Sequence, residues 1–299
     1  MDDIYEILDR AYESEDDDEV AELVERALAL DPDNPEALLL KADIVEDEEE
    51  KLSLLEKALA VVRLYFAEEE ISGDDVLEDE MGPVYLGLLQ RAAYLFFFME
   101  RDDDALSMAE EFLRYECENR ENVKDLYYCI LLDREEWSRV LEETMKDVER
   151  TLGWAYARMI ATFMLSKDKK NANVGKMLWD AVRMAPNVPF YMMGYIPDPV
   201  DESEAESDDY HFSVLFENIW SISRELLNWF SSATILFGLL SRRFGREKDD
   251  MREILDALGG GADYEDLSRR LPDDADDRTI LAALAEGGYP KTKTGSHRA

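Results

Sequence analysis

Histidine and cysteine are scarce in this chain. His211, His297, Cys117 and Cys129 are the whole supply. A zinc site needs several such ligands at close spacing, and neither cysteine lies near a histidine in sequence. A serine or cysteine nucleophile needs an adjacent base, and a Cys129–His211 pair has no motif behind it. Gly259-Gly260-Gly261 follows a helical stretch rather than a strand, and no Lys-Ser or Lys-Thr comes after it, so it is not a phosphate loop. Asp16-Asp17-Asp18-Glu19 lacks the glycine and the distal glutamate of a calcium loop. With 71 acidic residues, close carboxylate pairs of the glycosidase kind arise by chance, and nothing marks one pair as buried. No catalytic residue, metal ligand or cofactor is expected. The chemistry left is that of a binding surface.

Charge narrows what such a surface could bind. Lys plus Arg number 33 against 71 Asp plus Glu, a net charge of −38. A protein that grips a phosphate backbone needs clustered basic charge, so nucleic acid is excluded as a partner. The acids are uneven: residues 1–50 hold 21 of them against Arg10, Arg26 and Lys41. Such a surface attracts a basic partner, and it also keeps the chain solvated. The start, Met1-Asp2-Asp3-Ile4-Tyr5-Glu6, is not the basic and then apolar pattern of a secretory signal. The run Leu226 to Ser241 is sixteen uncharged residues bounded by Glu225 and Arg242. A membrane span needs about 20, so no membrane contact is expected. Two cysteines without CxxC spacing are expected as free thiols, which suits the cytoplasm.

The elements that must position this surface are helices. Leu52, Leu55, Leu59, Val62 and Phe66 recur at steps of three and four, which puts them on one helical stripe. Period-two alternation is nearly absent, and no Asn-Gly or Asp-Gly hairpin turn occurs. The expected fold class is all-α. Residues 27–35 (Ala27 to Pro35) and 181–189 (Ala181 to Pro189) share a pattern: an alanine, a proline five residues on, and a second proline three further. The alanine admits a neighbouring helix, the first proline ends one helix, and the second suits the first turn of the next.

This pattern resembles the tetratricopeptide repeat, a helix–turn–helix unit. A first unit places Ile4, Ile7, Leu8 and Ala11 before Val20, Val24, Ala27 and Pro32. Further units begin near Pro35, Pro83 and Asn122, and a fifth carries Trp154, Ala157, Ala161, Val174, Leu178, Ala181 and Pro186. The resemblance implies a solenoid of about five helical hairpins over residues 1–195. In that family the first helix of each unit lines a concave groove that holds a partner segment. The exposed positions it implies are Asp2, Tyr5, Asp9, Tyr12 and Glu13 in the first unit, and Leu39, Asp43, Glu46 and Asp47 in the second. The groove is expected to be acidic with tyrosines interleaved. Family members that grip a C-terminal carboxylate use Lys and Asn where this chain has Tyr5 and Asp9, so acidic C-terminal peptides are not expected ligands.

The rest of the chain reads differently. Residues 196–209 are expected as an acidic loop, followed by a capping region over 210–287 and a basic, flexible tail over 288–299. Phe212, Leu215, Ile219, Ile222, Leu226 and Trp229 begin a heptad-like seam that runs to Leu240. Phe216, Trp220, Leu227, Phe230 and Phe237 widen it, which suits a long helix packed over the open end of the solenoid. Short helices are expected around 251–258, 264–270 and 276–286. The function expected is a non-catalytic scaffold or adaptor, chaperone-like in kind, holding a basic or amphipathic segment of another protein. Self-association as a homodimer through the Phe212–Leu240 seam is the alternative, and a nucleic-acid mimic a more remote one.

Overall fold

A computed structural model describes residues 3–14, 16–117, 120–167, 172–199 and 204–290. Among these the secondary structure is entirely helical. The chain divides into two compact units, the boundary falling after Ile130. The expected repeat region over 1–195 therefore straddles this boundary.

The first unit contains α1 (Ile4–Glu13), α2 (Asp17–Leu30), α3 (Pro35–Ile44), α4 (Glu48–Glu68), α5 (Asp75–Glu78), α6 (Gly82–Phe98), α7 (Asp102–Phe112) and the start of α8 (Arg120–Asp133). Three of these helix starts are capped by a local side chain. The Asp16 carboxylate accepts from the N–H groups of Asp18 and Glu19, the Asn34 amide oxygen from Ala37, and the Asp47 carboxylate from Glu50. Pro35 and Pro83 occupy first turns, where no backbone donor is needed. Short connections fold α2 onto α1, α4 onto α3 and α7 onto α6, making three hairpins. Next, α2 packs on α3, and α4 and α3 pack on α6.

Small residues sit where these helices meet. Ala27, Ala58, Ala93 and Ala109 are fully buried. Ala27 joins Ile7, Leu8, Ala11, Leu23 and Val24 in one cluster spanning α1 and α2, with Ala37 and Leu40 of α3. Ala27→Leu is expected to destabilise the first unit by about 1–3 kcal/mol through overpacking. Urea unfolding followed by circular dichroism measures it, and an unchanged midpoint would refute the close approach at α2.

The second unit contains α9 (Trp137–Lys146), α10 (Leu152–Leu165), α11 (Ala172–Met184), α12 (Val188–Met192), α13 (Glu204–Phe216), α14 (Arg224–Leu240), α15 (Lys248–Ala257), α16 (Gly261–Arg270) and α17 (Asp277–Gly287). Helix α10 packs between α9 and α11, and α11 packs on α17. Tyr156 of α10 sits in an aromatic cluster with Phe212, Phe216, Trp220 and Phe230, their ring centroids 5.8–6.4 Å from its own.

Three expectations are corrected here. The Phe212–Leu240 seam is not one helix: α13 ends at Phe216, a 3-10 turn covers Asn218–Ile222, and α14 starts at Arg224. Local polar groups make the break. The Ser221 hydroxyl donates to the Asn218 carbonyl at 2.7 Å, and extended Ser223 caps α14 by accepting from the Leu226 N–H at 3.3 Å. The fold-back lets Trp220 stack on Phe230 at 3.6 Å between centroids. Secondly, the acidic stretch becomes helical from Glu204 onward. Residues 200–203 lie outside the described residues. Thirdly, Tyr289 does not belong to a free tail. It is fully buried, its carbonyl accepts from the Trp179 indole at 2.8 Å, and its hydroxyl donates to Asp266. Residues 291–299 lie outside the described residues.

Candidate binding groove

In the first unit the leading helix of each hairpin contributes to one groove. Tyr5 and Tyr12 of α1, Glu36 and Leu39 of α3, Leu77 of α5, and Val84, Gly87 and Arg91 of α6 line a hollow of about 700 Å³. Tyr5 and Tyr12 are 60 % and 53 % exposed, large for aromatic side chains on an amphipathic helix. Their helix needs only Ile7, Leu8 and Ala11 for its core, so the tyrosines face away from it. Leu39 is buried and forms part of the floor.

A second hollow of about 620 Å³ adjoins the first at Gln90 and Arg91, which border both. Asp43 of α3, Glu46 of the loop after it, Glu48 and Lys51 of α4, and Tyr94 and Phe98 of α6 line it. Phe98 is 55 % exposed. Between the two hollows the Arg91 guanidinium grips Asp43 through both carboxylate oxygens, Nε to Oδ1 at 2.6 Å and Nη2 to Oδ2 at 2.7 Å. This pairing raises the Arg91 pKa further, chiefly through the hydrogen bonds to Asp43.

Proton affinities along the groove are shifted. Partial burial of the hydroxyl end, and then the negative charge of the nearby Glu36 carboxylate, push the Tyr12 phenol up to about 12. Burial raises the Glu36 pKa, with the nearby Tyr12 hydroxyl opposing and the Asp9 charge adding. Behind the groove, Tyr85 donates to Glu111, which also accepts from Arg63 at 2.7 Å. Burial pushes the Tyr85 phenol up to about 12, reinforced by Glu111. The folded unit therefore holds this proton more tightly than the unfolded chain, whose tyrosines ionise near pH ~10. The stability linked to Tyr85 is complete below that pH and is lost as the pH rises through about 12. Ultraviolet titration should show a late-ionising tyrosine class that Tyr85→Phe diminishes; a single class at ordinary pH would contradict it.

The residues singled out from sequence divide as follows. Tyr5, Tyr12 and Leu39 line the first hollow, and Asp43 and Glu46 the second. Asp9 and Glu13 are exposed on α1 without lining either, and Asp9 acts on Glu36 through its charge. Asp47 caps α4. Asp2 lies outside the described residues. Glu36 and the whole α6 contribution were not anticipated, although the signal was present. Counting the same repeat positions from Pro83 gives Val84, Gly87, Arg91, Tyr94 and Leu95, and each lines one hollow or both.

The candidate self-association residues lie in the second unit's own interior. Leu215, Ile219, Leu226 and Trp229 are buried, while Phe212 and Ile222 are half-buried. Trp229 packs on Phe163 at 5.0 Å and Phe212 stacks on Phe216 at 4.6 Å. Among the described residues no cluster of His, Cys, Asp and Glu could hold a metal ion, and no helix is long and apolar enough to cross a membrane. Among the described residues neither Cys117 nor Cys129 is in a disulfide.

Comparison with protein-family models, with curated proteins and with solved structures finds no match for this chain.

Proposed function

We propose that the first unit is a non-catalytic protein-binding module, an adaptor of tetratricopeptide-like build that holds a basic or amphipathic segment of a partner protein in the groove of α1, α3 and α6. The observation that supports this reading is the convergence of exposed Tyr5 and Tyr12 with Glu36 over an apolar floor containing Leu39. Aromatic side chains supply contact area at small entropic loss, and carboxylates select positive charge. A chaperone-like role in a reducing, cytoplasmic setting is in keeping with two cysteines that share no disulfide.

The test uses a fluorescein-labelled peptide alternating lysine with leucine, followed by anisotropy on the full chain. The peptide is expected to bind at low salt and to weaken by about tenfold between about 20 mM and about 300 mM sodium chloride, as charge attraction is screened. Tyr5→Ser combined with Tyr12→Ser is expected to weaken it by about tenfold or more, the size of an interface anchor. Failure to bind at low salt, or binding indifferent to both tyrosines, would remove the groove from the proposal. The dimer reading gains no support, because the seam it needs is occupied by the second unit's own packing.

A further inference from the structure

The junction between the two hollows carries information about the occupant. Asp43 presents both carboxylate oxygens to a guanidinium fork, and the chain's own Arg91 fills that place. Both partners are about two-fifths exposed, at 41 % and 39 %. An ion pair this open contributes little to folding and exchanges readily. In the same pose the Arg91 Nη1 lies 3.4 Å from the Gly87 carbonyl, a contact to its own helix α6 that does not depend on Asp43. Around the junction lie Glu46, Glu48 and Lys51 of the second hollow. Among the described residues neither glutamate is in an ion pair.

We propose that the Asp43–Arg91 pair is a built-in competitor for the partner: the bound segment crosses from the first hollow to the second and sets an arginine of its own on Asp43, displacing Arg91. This rests on the groove being the binding site. It makes the occupant's key residue an arginine rather than a lysine, because a planar fork satisfies both oxygens of Asp43 and an ammonium satisfies them as a point charge only. The exchange conserves one bidentate pair and releases Arg91, so the site stays empty yet neutralised until a segment with both an apolar side chain and an arginine arrives. Affinity is thereby held down for weakly basic segments, which is a device for specificity.

The experiment measures anisotropy of short labelled peptides alternating leucine with arginine, lysine or glutamine on the full-length chain. The arginine peptide is expected to bind wild type about three- to tenfold more tightly than the lysine peptide. Arg91→Gln is expected to strengthen the arginine peptide by about tenfold, because the competitor is gone while Asp43 remains. Arg101→Gln is the control. It also breaks an Arg–Asp pair, with Asp104, but lies outside both hollows, so it reports the effect of net charge alone. Asp43→Asn is expected to erase the preference for arginine over lysine, and adding Arg91→Gln to it should then give no gain. Circular dichroism shows that each variant is folded. If the peptides bind through Tyr5 and Tyr12 but Arg91→Gln weakens binding, or strengthens it no more than Arg101→Gln, the competitor is refuted and the groove survives. Should no peptide bind wild type or Arg91→Gln, both fall together.

Discussion

Trp179→Ala is expected to lower the stability of the second unit by about 3–5 kcal/mol. Trp179 is 1 % exposed on α11, its ring 6.3 Å from that of Phe237 on α14. Truncation leaves a cavity the size of an indole between packed helices, which the surroundings fill only in part. It also strips the Tyr289 carbonyl of its donor, and an orphaned buried acceptor adds about 1–3 kcal/mol. The close approach of α11 to this segment leaves no slack: a Cβ added at Gly175 would lie 2.8 Å from the same carbonyl oxygen. Trp179→Phe is the intermediate case, since it keeps a six-membered aromatic ring while losing the donor and a smaller part of the buried volume. Urea unfolding of the three proteins, followed by circular dichroism, gives the ordering: wild type, then phenylalanine, then alanine. An alanine variant within about 1 kcal/mol of wild type would contradict the core assignment.

Gly82→Ala carries the second large effect, and it links stability to binding. Gly82 opens α6 directly beneath α5, where an added Cβ would stand 2.1 Å from the Val76 carbonyl oxygen. The obstacle is backbone, so the α5 segment must move as a whole. The expected destabilisation is about 1–3 kcal/mol. Because Leu77 and Glu80 line the first hollow from this segment, peptide binding should weaken as well, by about tenfold. Gly87→Ala is the informative comparison. There the nearest atoms are side-chain ends, Leu39 Cδ2 at 3.3 Å and Arg91 Nη1 at 3.4 Å, which can shift. Alanine in a helix interior is also favoured over glycine by about 1 kcal/mol, so this variant should be neutral or more stable. Equal behaviour of the two glycines, read by thermal unfolding, would show that α5 does not press on α6 as described.

Both effects arise from close approaches, whereas the sequence reports mostly on single helices. The stripe Leu52, Leu55, Leu59, Val62 and Phe66 is legible because helical periodicity puts these residues on one face, and all five are buried. The caps at Asp16, Asn34 and Asp47 are equally local in kind, since each acts over two or three residues. The C-terminal helices around 251–258, 264–270 and 276–286 are legible from Gly and Pro punctuation, which is equally local. Part of the groove was readable in the same way, since Tyr5 and Tyr12 sit on the polar side of an amphipathic helix.

What the tertiary structure alone decided lies between elements. The heptad spacing from Phe212 to Leu240 is compatible with one helix, yet Trp220 gains a stacked partner in Phe230 only if the chain turns back between them. Tyr289 looks like the start of a basic tail until Trp179, 110 positions earlier, supplies a donor for its carbonyl. Arg91 and Asp43 are 48 positions apart, and no local pattern announces that a guanidinium on α6 will meet a carboxylate on α3. Local sequence sets helix type and ends through interactions that span a turn or two. Which faces then meet is settled by packing and hydrogen bonding between distant segments, whose free energies belong to the assembled fold.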